Sequence, residues 1–211
     1  GLVVDLSKEE FIANYSDGAK QLTSIDGKVW GFNPNLNLVV MFYNKEIFKK
    51  HGVDVPKDWN DFVAICKKLR DGGEGGVSYL GGAVKSIWML MDVMLAEAGA
   101  EGYKKFFEDM DQGKLTNLKE NPAVYATCQT FAEMHKNQIL YKGADSIDYA
   151  QSVQLFAQKK APMLMMGTWT FGTAATDYPG IDWGVFPIPT LNKSNISWGL
   201  PGTISCIAAN S

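Results

Sequence analysis

The sequence predicts an α/β protein. Strand-like and helix-like segments alternate along its 211 residues, a pattern that sets a sheet against flanking helices. Helix starts carry capping residues, and glycines close several segments. Hydrophobic residues make up 46% and charged residues 20%, so a sizeable core is expected with no disordered tract. No internal repeat or low-complexity linker divides the chain.

The elements follow in order. Ser7-Lys8-Glu9-Glu10 reads as a capping box opening a helix at Ser7, which fades near Ser16-Asp17-Gly18. Residues 28–33 and 38–43 are β-branched and aromatic and read as strands. Asn33-Pro34-Asn35-Leu36-Asn37 interrupts the apolar pattern between them. Residues 45–50 form a short helix closed by Gly52. Asp58 caps a firm helix with Phe62, Ile65, Cys66 and Leu69 at helical spacing. Gly72, Gly73, Gly75 and Gly76 read as a flexible turn rather than a phosphate cradle, because they follow a helix and not a strand. A strand is expected at 77–80, a helix from Ser86 through Ala98, and a short helix at about 103–110.

Asn121-Pro122 places an N-cap before proline at the first helical position, with Val124, Cys128 and Phe131 on the inner face. Asp148 opens another helix with Val153 and Phe156 inward. Strands are expected at 163–166, 183–186 and 204–208.

Charge and motifs narrow the function. Formal net charge is -3, which argues against nucleic acid and against anionic membrane surfaces. No stretch is long and apolar enough for a transmembrane helix, and the first residues lack a signal-peptide pattern. Cys66, Cys128 and Cys206 are widely spaced without a CxxC pair, so buried free thiols are expected. His51 and His135 are too distant in sequence to suggest a metal site, and no cofactor is implied. No GxSxG, HExxH, GxxxxGK[ST] or GxGxxG occurs. Paired catalytic carboxylates stay open, with Asp145, Asp148, Asp177 and Asp182 near aromatic segments.

Aromatics stand at loop positions instead. Trp30, Phe32, Trp88, Trp169, Phe171 and Trp198 lie beside small or polar residues, whereas Trp59, early in a helix, reads as packing. Such indoles either fill the core or wall a ligand pocket beside a few polar groups. Sugar rings stack apolar CH faces on such walls. APMLMMGTWTFG, residues 161–172, is the sharpest case: a buried strand ends on Gly167, where the chain is expected to turn, and Trp169 follows at once.

Residues 27–63, with Phe42-Tyr43-Asn44-Lys45 and then Pro56, Asp58 and Trp59, resemble the signature of family 1 extracellular solute-binding proteins. Leu155-Phe156-Ala157-Gln158-Lys159-Lys160-Ala161-Pro162-Met163 is similar to a second family block, with Lys159 in place of the usual glycine. Gly167-Thr168-Trp169 matches its "G-x-W" end. Val185-Phe186-Pro187-Ile188-Pro189, Trp198-Gly199 and 204–208 resemble a third.

The resemblance implies a carbohydrate receptor of an ABC importer. The fold implied is a periplasmic-binding-protein-like (type II) lobe, a mixed sheet flanked by helices, in an incomplete two-lobe fold. Residues 1–36 would be a crossing segment from the N-terminal lobe and 37–211 most of the C-terminal lobe, truncated at both ends. By the same resemblance Trp169 stacks on the sugar. Asn35 and Asn37 on the crossing strand, Lys85 and Trp88 at a helix start, Tyr149, and Trp198 and Gly199 line the cleft. Phe171 packs beneath the next helix, and Thr168 and Thr170 offer hydroxyls or cap it.

The implied partners are a mono- or oligosaccharide and the permease subunits of the transporter, for a monomeric protein. Its location would be extracellular, periplasmic or membrane-anchored as a lipoprotein. A glycoside hydrolase fragment, a receptor for a non-sugar solute such as a polyamine or metal chelate, and a structural domain are the alternatives.

Overall fold

The computed structural model describes residues 2–33, 36–79, 82, 86–191, 199–201 and 204–209. In chain order the first elements are α1 (Glu10–Ala13), α2 (Asp17–Leu22), β1 (Ser24–Ile25), β2 (Lys28–Val29), β3 (Leu36–Asn44), α3 (Lys45–His51), α4 (Trp59–Asp71) and β4 (Val77–Tyr79). They continue with α5 (Ser86–Asp111), α6 (Pro122–Lys136), α7 (Tyr149–Ala157), β5 (Met163–Gly167), α8 (Thr170–Asp177), β6 (Trp183–Phe186) and β7 (Gly199–Pro201). The chain divides into two compact units, Gly1–Leu38 with Gly199–Ser211, and Val39–Trp198.

The first unit is built on Leu6, Ile12 and Val29, with Phe32 packed against them. β1 and β2 form an antiparallel pair whose turn residues, Asp26 and Gly27, both take positive φ. That is the Asp-Gly hairpin turn that suits strand twist. β7 pairs antiparallel with the start of β3, Leu38 opposite Gly199. The capping box expected at Ser7 does not form. The Ser7 hydroxyl accepts the Val29 N–H at 2.9 Å and donates to Asp5 at 2.5 Å, so α1 starts only at Glu10. Residues 204–208 form isolated bridges, Phe32 with Ser205 and Val3 with Ala208, rather than a strand. Asn37 lies within β3, so the amide-rich stretch does not interrupt the strand there.

The second unit holds a mixed sheet in the order β4-β5-β3-β6. β4 and β5 run parallel, and β3 is antiparallel to β5 and β6. Every residue of β5 is buried, as expected of a strand covered on both faces. Several helix ends of this unit are fixed by side chains or glycine, and Gly52, Asp58, Asn121 and Asp148 act as their sequences predict. Asn44 caps α3, and Gly52 closes it at φ 57°; Asp58 accepts the Asp61 N–H at 2.9 Å. Asn121 caps α6, and Asp148 with Gln151 forms a capping box on α7. α5 is broken at Gly99, close to the expected boundary between two helices.

α7 ends as helices with a C-terminal glycine do. The Lys160 N–H returns to the Leu155 carbonyl and the Lys159 N–H to Phe156. Lys159 has φ 59°, the left-handed conformation that costs a side-chain-bearing residue and not glycine. That conformation is why a glycine suits this position, and the Lys159 ammonium pairs with Glu46.

Phe42 anchors the core. Only 1% exposed, it meets Phe156, Phe171 and Trp183 at centroid distances of 6.4, 5.2 and 5.4 Å. Phe171 stacks on Trp183 at 5.0 Å; it packs inward as a residue of α8 itself rather than beneath that helix. Tyr43 lies opposite Gly184 across β3 and β6. A Cβ on Gly184 would fall 2.6 Å from the Tyr43 ring, so the phenol fills the space of the missing side chain. The expected inner face of α6 is displaced: Ala123, Thr127, Thr130 and Met134 are buried. Thr127 returns its hydroxyl to the Ala123 carbonyl and Thr130 donates to Glu97, which makes a buried polar stripe affordable. Cys66 is buried, and its thiol is pushed up to about 12 by burial. Cys128 and Cys206 are exposed, against the expectation of buried thiols.

Candidate functional site

In an α/β sheet, ligands bind beyond the carboxyl ends of the parallel strands. β4 and β5 are that parallel pair here, with Tyr79 in register with Met165. β5 carries its buried run two residues further, to Gly167 opposite Val39. Thr168 and Trp169 then form the turn into α8, closed by the Phe171 N–H on the Thr168 carbonyl at 3.0 Å. Trp169 takes the position before the helix and is 42% exposed. A large aromatic on a buried strand's carboxyl end is thus left bare.

Gly167 does not turn the chain. It is the last paired residue of β5 and is not among the described glycines at positive φ. Its role is room. A Cβ there would fall 2.0, 2.1 and 2.3 Å from Cζ3, Cη2 and Cε3 of Trp169. An edge-on approach would bring one atom much nearer than its two neighbours. Near-equal distances mean that a face of the benzo ring lies over the Gly167 backbone.

Tyr149 borders the same turn. Its hydroxyl lies 3.2 Å from that of Thr170, which is 1% exposed. Thr170 therefore braces the start of α8 on α7 and caps nothing. Asn37 is half-buried in β3 opposite Leu200, and Gly199 lies in β7; both fall in or beside the pairing of the first unit. Asn35, Lys85 and Trp198 lie outside the described residues. Trp88 lies in α5, with its side chain outside them. Two other aromatics have structural work. The Trp30 indole N–H donates to the Ile25 carbonyl at 3.2 Å, and Trp59 packs on Phe62.

Sequence reasoning missed two carboxylates of α5. Burial raises the Asp92 pKa to about 7, and burial followed by the Asp92 charge raises that of Tyr103. Glu97, buried, accepts the Leu191 N–H at 2.9 Å and the Thr130 hydroxyl. An acidic residue inside the apolar run of α5 was the available signal.

A cavity of about 570 Å³ opens at the amino ends of β4 and β5, away from Trp169. Several of its polar groups are engaged within the protein. Arg70 donates to the Asn137 and Gln138 carbonyls, and Asp145 accepts from Tyr79. Glu74 holds Lys50 and His51, whose hydrogen bonds outweigh burial and keep its carboxyl below the usual range. It reads as a packing hollow. Among the described residues no three His, Cys, Asp or Glu side chains are grouped to hold a metal, and no helix is long and apolar enough to cross a membrane.

The architecture is that of solute-binding proteins. The chain matches the RafE solute-binding protein in complex with raffinose with a TM-score of 0.80 at 20% identity, over 100% of this chain and 55% of that one. It matches a chitin oligosaccharide binding protein with a TM-score of 0.80 at 19% identity, over 100% of this chain and 53% of that one. In sequence it is 24% identical over 177 residues to a multiple sugar-binding protein of Streptococcus mutans, 81% of this chain and 41% of that protein. It is 23% identical over 206 residues to a galactooligosaccharide-binding protein of Bacillus subtilis, 93% of this chain and 45% of that protein. The chain thus spans less than half the length of these curated relatives. The model for bacterial extracellular solute-binding proteins matches residues 1–210, and the chain belongs to that family.

Proposed function

We propose that this chain is part of an extracellular receptor that binds a carbohydrate and delivers it to the permease subunits of an ABC importer. The carrying observation is the bare indole of Trp169 at the carboxyl end of a buried strand. An apolar plate in a polar loop suits the CH face of a sugar ring, with hydroxyl partners nearby. The relatives named for sugars support the same class of ligand.

In this reading the chain furnishes one wall of the site and the remainder of the receptor the other. The receptor is a monomer that closes on the sugar and performs no chemistry on it. Closure follows because the closed state makes contacts that the open state lacks. The receptor works outside the cytoplasmic membrane, free or held as a lipoprotein.

The test is calorimetric titration of the full-length receptor with raffinose, maltose and a chitin oligosaccharide, beside a reducing-end assay on the same sugars. Saturable binding without new reducing ends supports the receptor. Release of reducing ends would establish a glycoside hydrolase, and silence toward every sugar would remove the carbohydrate reading. The 211-residue chain alone should bind weakly; tight binding by it would contradict the need for a second wall.

A further inference from the structure

We propose that Gly167 is a positioning residue for the carbohydrate: by lacking a Cβ it seats one face of the Trp169 indole on the end of β5, leaving only the opposite face to the ligand. This rests on the reading of Trp169 as the sugar's stacking surface.

Three observations fix the seat. The benzo ring occupies the space that a Cβ of residue 167 would need, at 2.0–2.3 Å. The strand beneath cannot yield easily, because Gly167 is buried and paired with Val39 inside the sheet. Trp169 itself is held in the turn by the Phe171–Thr168 hydrogen bond, and the next residue is braced by Tyr149. A ring stacked on rigid backbone keeps one orientation without the sugar, so little ordering cost falls on binding. A methyl group at 167 would lift the ring and tilt the plate. The atoms nearest that methyl belong to the Trp169 side chain, which moves more cheaply than a neighbouring backbone would.

The experiment is a double-mutant cycle in the full-length receptor, using Gly167→Ala, Trp169→Ala and the double variant. The probe is whichever of raffinose, maltose or the chitin oligosaccharide gives the strongest calorimetric signal with the wild type. Gly167→Ala should weaken binding by roughly tenfold alone and by less than about twofold in the Trp169→Ala background, the non-additivity expected of groups that act as one. Any drop in melting temperature caused by Gly167→Ala should be relieved in the double variant, since removal of the ring restores the space. A readout without sugar is the tryptophan emission removed by Trp169→Phe. In the Gly167→Ala background this difference emission should shift to the red and become more accessible to acrylamide.

Loss of affinity on Trp169→Ala with none on Gly167→Ala, or difference emission unchanged by Gly167→Ala, would overturn the seat while leaving the receptor reading intact. Full affinity in Trp169→Ala would remove the stacking surface itself, and the sugar role of Gly167 with it. An equal loss from Gly167→Ala in both backgrounds would show that it acts on the strand and not through the ring.

Discussion

Replacing Trp169 with alanine should separate binding from folding. The side chain is 42% exposed. A tryptophan presents roughly 150–250 Å² for burial, so about 60–100 Å² of indole is free for a ligand, worth ~1.5–2.5 kcal/mol at ~25 cal/mol per Å². That corresponds to a rise in Kd of roughly 10- to 70-fold. The other face rests on glycine backbone and not in the aromatic cluster around Phe42, so the fold should lose little. Calorimetric titration of the full-length receptor gives the Kd, and a thermal melt of the same sample gives the midpoint. An unchanged Kd would take Trp169 out of the site. A collapse of the melting temperature in parallel with affinity would show that the ring belongs to the core and refute the separation.

Other expectations concern stability. Phe42→Ala removes the ring shared by Phe156, Phe171 and Trp183 and should cost about 3–5 kcal/mol in urea unfolding; a loss under ~1 kcal/mol would show that the cluster collapses to fill the gap. Asp92, with its pKa raised by burial to about 7, binds its proton more tightly folded than unfolded, where the group titrates at about 3.9. Its effect is absent below about pH 4, and stability is lost as pH rises from there through about 7. Asp92→Asn should therefore match wild type at pH 4 and exceed it increasingly toward pH 8 in urea melts, and a constant difference would contradict this. Lys159→Gly relieves left-handed strain, partly offset by glycine's entropy and the exposed pair with Glu46. A net gain of about 0.5–1 kcal/mol in the same melts is expected, and a loss would mean that the ion pair outweighs the strain.

The readable parts of the fold were those decided locally. Asp58, Asn121 and Asp148 each cap a helix through their own side chain, and the spacing of Val153 and Phe156 fixed the inner face of α7. The misread parts were decided by distant partners. Ser7 looks like a cap, but its hydroxyl is claimed by Val29, 22 residues away. The polar inner face of α6 depends on Glu97 of α5, which no periodicity within α6 reveals. α2, β1 and β7 are too short to carry a period, although Asp26-Gly27 was a hairpin signal. At the site, Trp169 stood out because an indole between threonines is unusual. The role of Gly167 was hidden because a glycine's missing atom has no signature until the ring above it is placed.

The pairing of Tyr43 with Gly184 carries an evolutionary corollary. The ring and the bare backbone share one parcel of space, so neither position can drift alone. Lineages that keep an aromatic residue at 43 should be barred from any side chain at 184, while those that lose the aromatic should be free to accept alanine or serine there. The two sites, far apart in the gene, should therefore change together as a linked pair.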